Sequence, residues 1–276
     1  MKKEQLSFKH ENGMVDGMYV VPKYESPLVV IVNGHNGFYN YGMFPFIQDT
    51  LANSGVSSYS FNFSHGGIRG NGDYFEDLDK YEQNCMRLEV EDTMCVLHNL
   101  DSEKLKSHSK IFLLAHSLGG VPAIFSASAA QDEMIKIAGI ILVSTVDKLN
   151  FWPDEMLKEW EEKKVYYKKN NRTKQMLPQG EEFLYEVLQN DTKWNVKNEL
   201  MKLKQAALII HGGEDEAVSL QQGINKYKWI KDTNENAAFK IIPGATHTFN
   251  TRHPFEAASP QVEEMLREIV AFIQAN

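Results

Sequence analysis

The sequence predicts an α/β protein built around a mostly parallel sheet, and three observations lead to that prediction. Continuous apolar runs rich in β-branched residues, such as 28–32, are typical of strands buried on both faces of a sheet. These runs alternate along the chain with segments whose apolar residues recur every three or four positions, as in amphipathic helices. The chain has 276 residues, of which 42% are hydrophobic, so it can bury one large core.

In chain order, the first 22 residues predict two short strands, with the turn signal Asn12-Gly13 between them. Further strands are predicted at 28–32, 57–63, 111–115, 138–143, 207–210 and 239–242. Helices are predicted at 43–53, at 81–100, from a Gly-rich turn after residue 115 to 130, and at 262–273. This alternation is typical of βαβ units and therefore of a parallel sheet flanked by helices.

Residues 148–199 break the alternation. They are rich in charged residues, yet they hold three of the four tryptophans of the chain, Trp152, Trp160 and Trp194. Helical periodicity around 156–167 and 181–188 predicts a small helical cap, inserted into a core domain formed by 1–147 and 200–276. Its aromatic side chains either attach the cap to the core or face a ligand.

Charge and composition exclude several kinds of partner. A formal net charge of −8 leaves no electrostatic footprint for nucleic acid or for anionic lipid. The apolar runs are too short to span a bilayer, and the N-terminus lacks the apolar stretch of a signal peptide. Cys85 and Cys95 have no second pair for a disulfide framework or a zinc site. We expect a cytoplasmic protein without nucleic-acid or membrane partners, and composition says nothing about its oligomeric state.

The string A-H-S-L-G-G at 115–120 follows a predicted strand and opens a predicted helix. This is the pattern of a nucleophile elbow, a tight turn that holds a serine hydroxyl above the edge of the sheet. Small residues are needed two positions before and after the serine, and Ala115 and Gly119 meet that need. Ser117 is therefore the candidate nucleophile. The alternative is that Ser117 merely caps the following helix, a position that serine favours.

An acidic residue follows the strand at 207–210, within the string H-G-G-E-D-E-A-V-S at 211–219. Asp215 lies three positions after the His-Gly pair, which favours it over Glu214 and Glu216 as the residue that orients a catalytic base.

A histidine follows the last predicted strand, within the string G-A-T-H-T-F at 244–249. The chain order Ser117, Asp215, His247 is the one expected when all three lie at the carboxyl edge of a parallel sheet. His253 follows the same strand, six residues further into the loop, and is the rival for the base.

The loop V-N-G-H-N-G at 32–37 follows the first long strand. Its two glycines allow the backbone to approach a substrate closely. We assign the oxyanion hole to the backbone N–H groups of His35 and Leu118. The alternative is an ordinary loop that needs glycine only for its turn.

No cofactor or metal is expected. The glycines at 66–72 have the wrong spacing for a dinucleotide loop, and no helix with an apolar face follows them directly. The nine histidines are scattered without metal-ligand spacing.

Together, the three motifs resemble those of the α/β-hydrolase superfamily. Within that superfamily, the chain resembles the bacterial esterases related to cinnamoyl (feruloyl) esterases and to the dienelactone-hydrolase and prolyl-oligopeptidase-like groups. It covers nearly the whole chain and implies an eight-stranded sheet whose second strand is antiparallel, with an insertion after the sixth strand, where 148–199 falls. The chain departs from the family pattern at Asn33, where His is usual, and at Ala115, where Gly is usual.

These observations predict a cofactor-independent serine hydrolase that cleaves a small-molecule carboxylic ester. A thioesterase, an amidase or peptidase, and an acyltransferase would use the same residues. A non-catalytic binding protein on the same fold is the alternative from another class. We expect the cap to cover Ser117 and to contact the substrate through Trp152, Trp160 and Trp194.

Overall fold

The computed structural model of the protein describes residues 1–22, 26–100 and 108–276. Its strands are β1 (Lys2–His10), β2 (Gly13–Val21), β3 (Leu28–Val32), β4 (Ser57–Asn62), β5 (Ile111–His116), β6 (Ile137–Val143), β7 (Tyr166–Lys169), β8 (Met176–Gln179), β9 (Ala206–Gly212) and β10 (Ala237–Ile242). Its α-helices are α1 (Phe44–Asn53), α2 (Leu78–Gln83), α3 (Met86–Leu100), α4 (Gly120–Asp132), α5 (Asp154–Lys163), α6 (Glu181–Leu188), α7 (Val196–Leu200), α8 (Leu220–Lys231) and α9 (Pro260–Ala275).

Eight of the strands form one sheet in the order β1-β2-β4-β3-β5-β6-β9-β10. Only β2 runs antiparallel to its neighbours in this sheet, and the other pairs are parallel. The predicted α/β-hydrolase fold, with its eight-stranded and mostly parallel sheet, is confirmed. The parallel strands all end at one edge of the sheet, so the loops that follow them meet there.

Helices cover both faces of this sheet, and a hydrophobic core lies under each layer. The residues of β3 alternate between the two cores and are all fully buried, which explains the continuous apolar run in the sequence. One core packs the sheet against α1 and α9. The other packs it against α3, α4 and α8 and extends into the segment between β6 and β9.

Residues 148–199 lie between β6 and β9, as the resemblance implies, but they are not purely helical. They contain α5, α6 and α7 and also the antiparallel hairpin β7–β8. The helix that the sequence predicts across 156–167 ends at Lys163, because Lys164 adopts a left-handed conformation with φ 65°. Helical periodicity misses the hairpin because its strands have only four residues each.

The predicted helix at 81–100 is wrong in one respect, since the chain forms two helices there. Residue Asn84 is extended, with ψ 138°, and ends α2 before α3 begins at Met86. The carboxylate of Glu186, from α6, accepts hydrogen bonds from the N–H groups of Met86 and Arg87 at the start of α3. A remote side chain therefore caps the break, which local periodicity cannot reveal.

Smaller differences concern the ends of elements. The N-terminal hairpin is longer than its apolar pattern indicates, because β1 pairs with β2 along its whole length while staying largely exposed. The sequence pattern does not predict α8, whose apolar residues are sparse. Across the described ranges, no helix is both long and apolar enough to cross a membrane.

Candidate active site

Ser117 lies where β5 passes into α4. Its φ of 57° places it in the left-handed region, which is strained for a residue with a side chain. The N-cap of α4 is Gly119, so Ser117 does not act as the cap of that helix. A Cβ atom on Gly119 would lie 2.4 Å from the carbonyl oxygen of Asn33, so this position accepts only glycine. The local structure is the sharp strand–turn–helix corner that a nucleophile elbow requires.

His247 and Asp215 join Ser117 in one hydrogen-bonded chain. The Nε2 atom of His247 lies 2.9 Å from the Oγ atom of Ser117. Its Nδ1 atom lies 3.0 and 2.9 Å from the two carboxylate oxygens of Asp215. The structure thus brings together three residues that lie in separate loops after β5, β9 and β10.

The rival residues lie elsewhere. The side chain of His253 accepts a hydrogen bond from the N–H of Gly42 at 3.0 Å. Glu214 is exposed, and the carboxylate of Glu216 accepts from the backbone N–H of His247 at 3.3 Å rather than from its ring.

The surroundings of Asp215 keep it ionised. Burial by itself raises the pKa of this carboxyl, but the hydrogen bond from His247, that residue's charge and the N–H of Val218 outweigh burial and lower it to about 2. The N–H groups of Ala217 and Val218 donate to Asp215 at 3.0 and 2.8 Å. A carboxylate held in this way can fix the imidazole of His247 and stabilise its positive charge.

His116 supports the base. Its Nε2 atom donates to the carbonyl oxygen of His247 at 2.9 Å. Burial, reinforced by the nearby His247, lowers the pKa of His116 to about 3, so this ring is a weaker proton acceptor than an ordinary histidine.

The segment after β6 forms hydrogen bonds with the backbone of both Ser117 and the end of β9, and no motif in the sequence marks these contacts. The N–H of Val146 donates to the carbonyl oxygen of Ser117 at 3.4 Å, and the hydroxyl of Ser144 accepts from the N–H of Gly212 at 3.4 Å. The buried ammonium of Lys226 donates to the carbonyl oxygen of Thr145. The position of this segment at the end of a parallel strand is the one signal that could have indicated them.

The loop after β3 packs directly on the elbow. A Cβ atom on Gly34 would lie 2.8 Å from the Cβ atom of Ser117 and 3.4 Å from the backbone nitrogen of Leu118. Within the described part of the chain, no hydrogen bond engages the N–H of His35. The predicted oxyanion donors, His35 and Leu118, therefore lie on the two segments that meet beside Ser117.

The side chain of His35 leads away from the sheet and into residues 148–199. Its Nε2 atom lies 3.2 Å from the amide nitrogen of Gln179 and 3.5 Å from the hydroxyl of Tyr81. Phe183 stacks on its ring. Sequence analysis does not identify Gln179, Tyr81 or Phe183, because no motif marks them and they come from three separate elements.

The three tryptophans occupy different surroundings. Trp160 has no exposed surface and packs among other aromatic rings of the segment, so in this structure it offers nothing to a substrate. Trp194 is 3% exposed and packs on Phe125, about two turns along α4 from the elbow. Trp152 keeps exposed surface and contacts Phe183, which in turn touches His35. Packing thus accounts for Trp160 and Trp194, which disagrees with the predicted contact of these two side chains with substrate. Contact of Trp152 with a substrate stays a prediction.

In the part of the chain that the structure describes, no three histidine, cysteine or acidic side chains are grouped so that they could hold a metal ion.

Comparison with known proteins gives a family and a set of similar folds. The sequence model described as the prolyl oligopeptidase family matches residues 52–276. No curated protein sequence matches the chain.

Several solved structures superpose on the whole chain. Est1E from Butyrivibrio proteoclasticus, solved with ferulic acid bound, shares 19% identity, with 98% of this chain and 100% of that chain covered and a TM-score of 0.74. The α/β hydrolase GrgF from Penicillium shares 13% identity, with 100% and 99% covered and a TM-score of 0.75. A dienelactone hydrolase from Anabaena variabilis shares 12% identity, with 99% and 97% covered and a TM-score of 0.64. At these identities the likeness establishes the fold.

Proposed function

Because the chain belongs to the prolyl oligopeptidase family, and is therefore a hydrolase, we propose that it hydrolyses a small-molecule carboxylic ester through a covalent acyl-enzyme. Ser117 is the nucleophile, His247 is the general base and acid, and Asp215 orients the imidazole. The backbone N–H groups of His35 and Leu118 stabilise the oxyanion.

In the proposed first half-reaction, the Oγ atom of Ser117 attacks the carbonyl carbon while its proton passes to the Nε2 atom of His247. The negative charge that develops on the carbonyl oxygen is stabilised by the two N–H groups. His247 then donates the proton to the leaving alkoxide, and the ester C–O bond breaks. In the second half-reaction a water molecule, deprotonated by His247, attacks the acyl carbon and releases the acid from Ser117.

One observation carries this proposal, namely the unbroken hydrogen-bonded chain from Ser117 through His247 to Asp215, with distances of 2.9 to 3.0 Å. A non-catalytic protein on this fold has no need to keep these three side chains, which come from three separate loops, within hydrogen-bonding distance of one another. The strained φ of Ser117 adds to the support, since such strain concentrates at functional sites.

The test is covalent labelling with a fluorophosphonate, combined with turnover of p-nitrophenyl esters. We expect the native protein to be labelled and to hydrolyse the esters. We expect Ser117→Ala to abolish labelling and to lower turnover by about 10⁴-fold or more. Ser219, in the loop after β9, provides a matched control, because its side chain is exposed and makes no hydrogen bond to the start of α8. We expect Ser219→Ala to leave both readouts unchanged. Activity of Ser117→Ala within tenfold of the native protein would refute the proposal.

Peptide or amide hydrolysis is the second candidate, and the description of the family favours it. The same residues perform both reactions, since only the leaving group differs. Parallel assays with p-nitrophenyl acetate, aryl esters and peptidyl p-nitroanilides distinguish the two. A kcat/KM that is higher for the anilides than for the esters would replace the ester proposal with a peptidase. Assays with thioester substrates test the thioesterase alternative, and assays with alcohols as acyl acceptors test the acyltransferase alternative.

A cytoplasmic location belongs to the same proposal. Cys85 and Cys95 are both free thiols in buried positions, which suits a reducing compartment.

A further inference from the structure

We infer that residues 148–199 act on the chemical step, because Gln179 and Phe183 from this segment position the loop that carries the His35 oxyanion donor. The inference rests on the proposed function. Gln179 is a positioning residue in this scheme, since it acts through His35 and need not touch the substrate.

The first support is the polar contact at the His35 side chain. Gln179 lies at the end of β8 and is 4% exposed. Its amide nitrogen lies 3.2 Å from the Nε2 atom of His35. Burial, together with the charge of Lys168, lowers the pKa of His35 to about 3, so the ring is neutral and its Nε2 atom can accept the amide N–H.

The second support is the packing around the same ring. Phe183 stacks on His35 with the two planes 5° apart and the centroids 6.5 Å apart. Tyr81 also contacts this ring, with the centroids 6.4 Å apart, and its hydroxyl donates to the side chain of Asn36 at 2.5 Å. Two consecutive residues of the oxyanion loop, His35 and Asn36, are thus held by side chains from outside that loop.

The third support is that the corner between β8 and α6 is attached closely to α2. The N–H of Gly180 donates to the carbonyl oxygen of Glu82 at 3.0 Å, and a Cβ atom on Gly180 would lie 2.3 Å from that oxygen. The carboxylate of Glu186 caps the start of α3, because it accepts hydrogen bonds from the backbone N–H groups of Met86 and Arg87. Because this corner is fixed on the break between α2 and α3, it can restrain His35 rather than follow it.

This arrangement has a specific kinetic consequence. Gly34 packs on Ser117, and the ring of His35 anchors the backbone of the next residue in the same loop. If the ring is no longer held, the His35 backbone is freer to shift, and a shift would move its N–H relative to the oxyanion. An oxyanion donor contributes mainly in the transition state, because charge develops on the oxygen only there. A loosened His35 should therefore lower kcat and leave KM nearly unchanged. A segment that only contacts the substrate would have the opposite signature.

The experiment compares two glutamines of the same hairpin. Gln179→Met keeps the length and volume of the side chain but removes the hydrogen bond to His35. Gln175→Met is the matched control, because Gln175 bonds to the backbone of Phe75 at 3.1 and 2.8 Å and does not contact His35. With p-nitrophenyl acetate we expect Gln179→Met to lower kcat by about 10- to 100-fold, less than the full loss of an oxyanion donor. We expect its KM to change less than threefold, and Gln175→Met to change neither constant more than threefold.

A double-mutant cycle with His35→Ala separates positioning from a general loss of structure. His35→Ala keeps the backbone N–H but removes the ring that Gln179 and Phe183 hold. If Gln179 acts through His35, Gln179→Met has little further effect on kcat in the His35→Ala background. Affinity for a phenylboronic acid, which forms a tetrahedral adduct with the serine, should fall in parallel with kcat. Phe183→Leu offers a second route, with the same expected loss of kcat, if Gln179→Met does not fold.

Three results would overturn the inference: a change confined to KM, additive effects in the cycle, or equal effects of the two glutamine variants. Failure of the inference is distinguishable from failure of the proposed function. In the first case Ser117 is still labelled by the fluorophosphonate and Ser117→Ala is still inactive, whereas in the second case those two results are themselves lost.

Discussion

The loops that carry the triad and the inserted segment 148–199 reach the same corner of the molecule by different means. Ser117, Asp215 and His247 each follow a parallel strand of one sheet, so the order of the strands brings them together. The segment reaches His35 through side-chain contacts that no strand register enforces. The sheet therefore places the three proposed catalytic residues, whereas the geometry of the His35 loop beside them depends on packing against the inserted segment.

The two regions also differ in what their aromatic and charged side chains do. In the triad loops the charged group is buried and fully paired, and its pKa is lowered. Glu186 in the segment and Glu89 on α3 are buried carboxyls whose pKa values are raised by that burial. Of the tryptophans of the segment, Trp160 and Trp194 are buried by packing, whereas Trp152 keeps exposed surface. The proposed reacting groups should therefore depend on the loops. The segment should contribute stability and its pH dependence and, through Gln179 and Phe183, the placement of the His35 loop.

The largest effect is expected in the triad loops. Asp215→Asn should lower kcat by about 10⁴-fold, because the amide can no longer hold His247 in the correct tautomer or stabilise its charge. Glu214→Gln, one position away and exposed, should change kcat less than twofold. Steady-state kinetics with p-nitrophenyl acetate measures both. Equal effects of the two variants would mean that Asp215 is not the residue that orients His247. The view that the sheet places all three catalytic groups would then be wrong.

Truncation inside the segment should act on stability. Trp160→Ala should lower the free energy of unfolding by about 3–5 kcal/mol, as is usual for a large buried aromatic side chain. Among the described residues the Nε1 atom of Trp160 has no hydrogen-bond partner, so Trp160→Phe should be much milder. Urea denaturation measures both. A shifted preference between acetyl and aryl esters, with stability unchanged, would instead place Trp160 in the substrate site.

A methyl group at Gly34 should disturb the proposed oxyanion loop. Gly34→Ala places a Cβ atom 2.8 Å from the Cβ atom of Ser117 and from the carbonyl oxygen of His116. Because the loop must shift, we expect kcat to fall by about 10²-fold, the lower end for loss of an oxyanion donor. Gly66→Ala is the control, since its nearest neighbour would lie 3.3 Å away. A Gly34→Ala variant with native kcat would show that the donor lies on another loop.

The smallest effect concerns pH. Burial raises the pKa of Glu89 to about 8, above its ordinary value near 4.3. Between these values the folded state holds a proton that the unfolded state has lost. The contribution of Glu89 to the free energy of unfolding is therefore largest below the pKa that this group has in the unfolded state. It falls as the pH rises from there through the folded-state pKa, by up to about 1.4 kcal/mol per pH unit.

Glu89→Gln keeps an acceptor for the amide of Asn84, which donates to Glu89 at 2.8 Å in the native protein, but removes the titrating group. The free energy of unfolding should fall less steeply between pH 5 and pH 8 in this variant than in the native protein. Denaturation curves at several pH values measure the difference. Parallel pH dependence in the two proteins would mean that Glu89 ionises normally.

The sequence alone predicts the fold class, the succession of the main strands along the chain and the three loops that carry Ser117, Asp215 and His247. Each of these is signalled locally, by an apolar strand followed directly by a short polar or Gly-rich motif, as where β5 runs into A-H-S-L-G-G at 115–120. Local encoding is readable because neighbouring residues constrain one another through backbone sterics and periodicity.

The tertiary structure alone decides the hairpin in the segment, the break between α2 and α3 and the partners of His35. These features depend on contacts between residues that are distant in the chain. His35 meets Gln179 across 144 residues, and Met86 meets Glu186 across 100 residues. No local pattern specifies such pairs, because their stability comes from hydrogen bonds and packing that exist only after the sheet has brought both ends together.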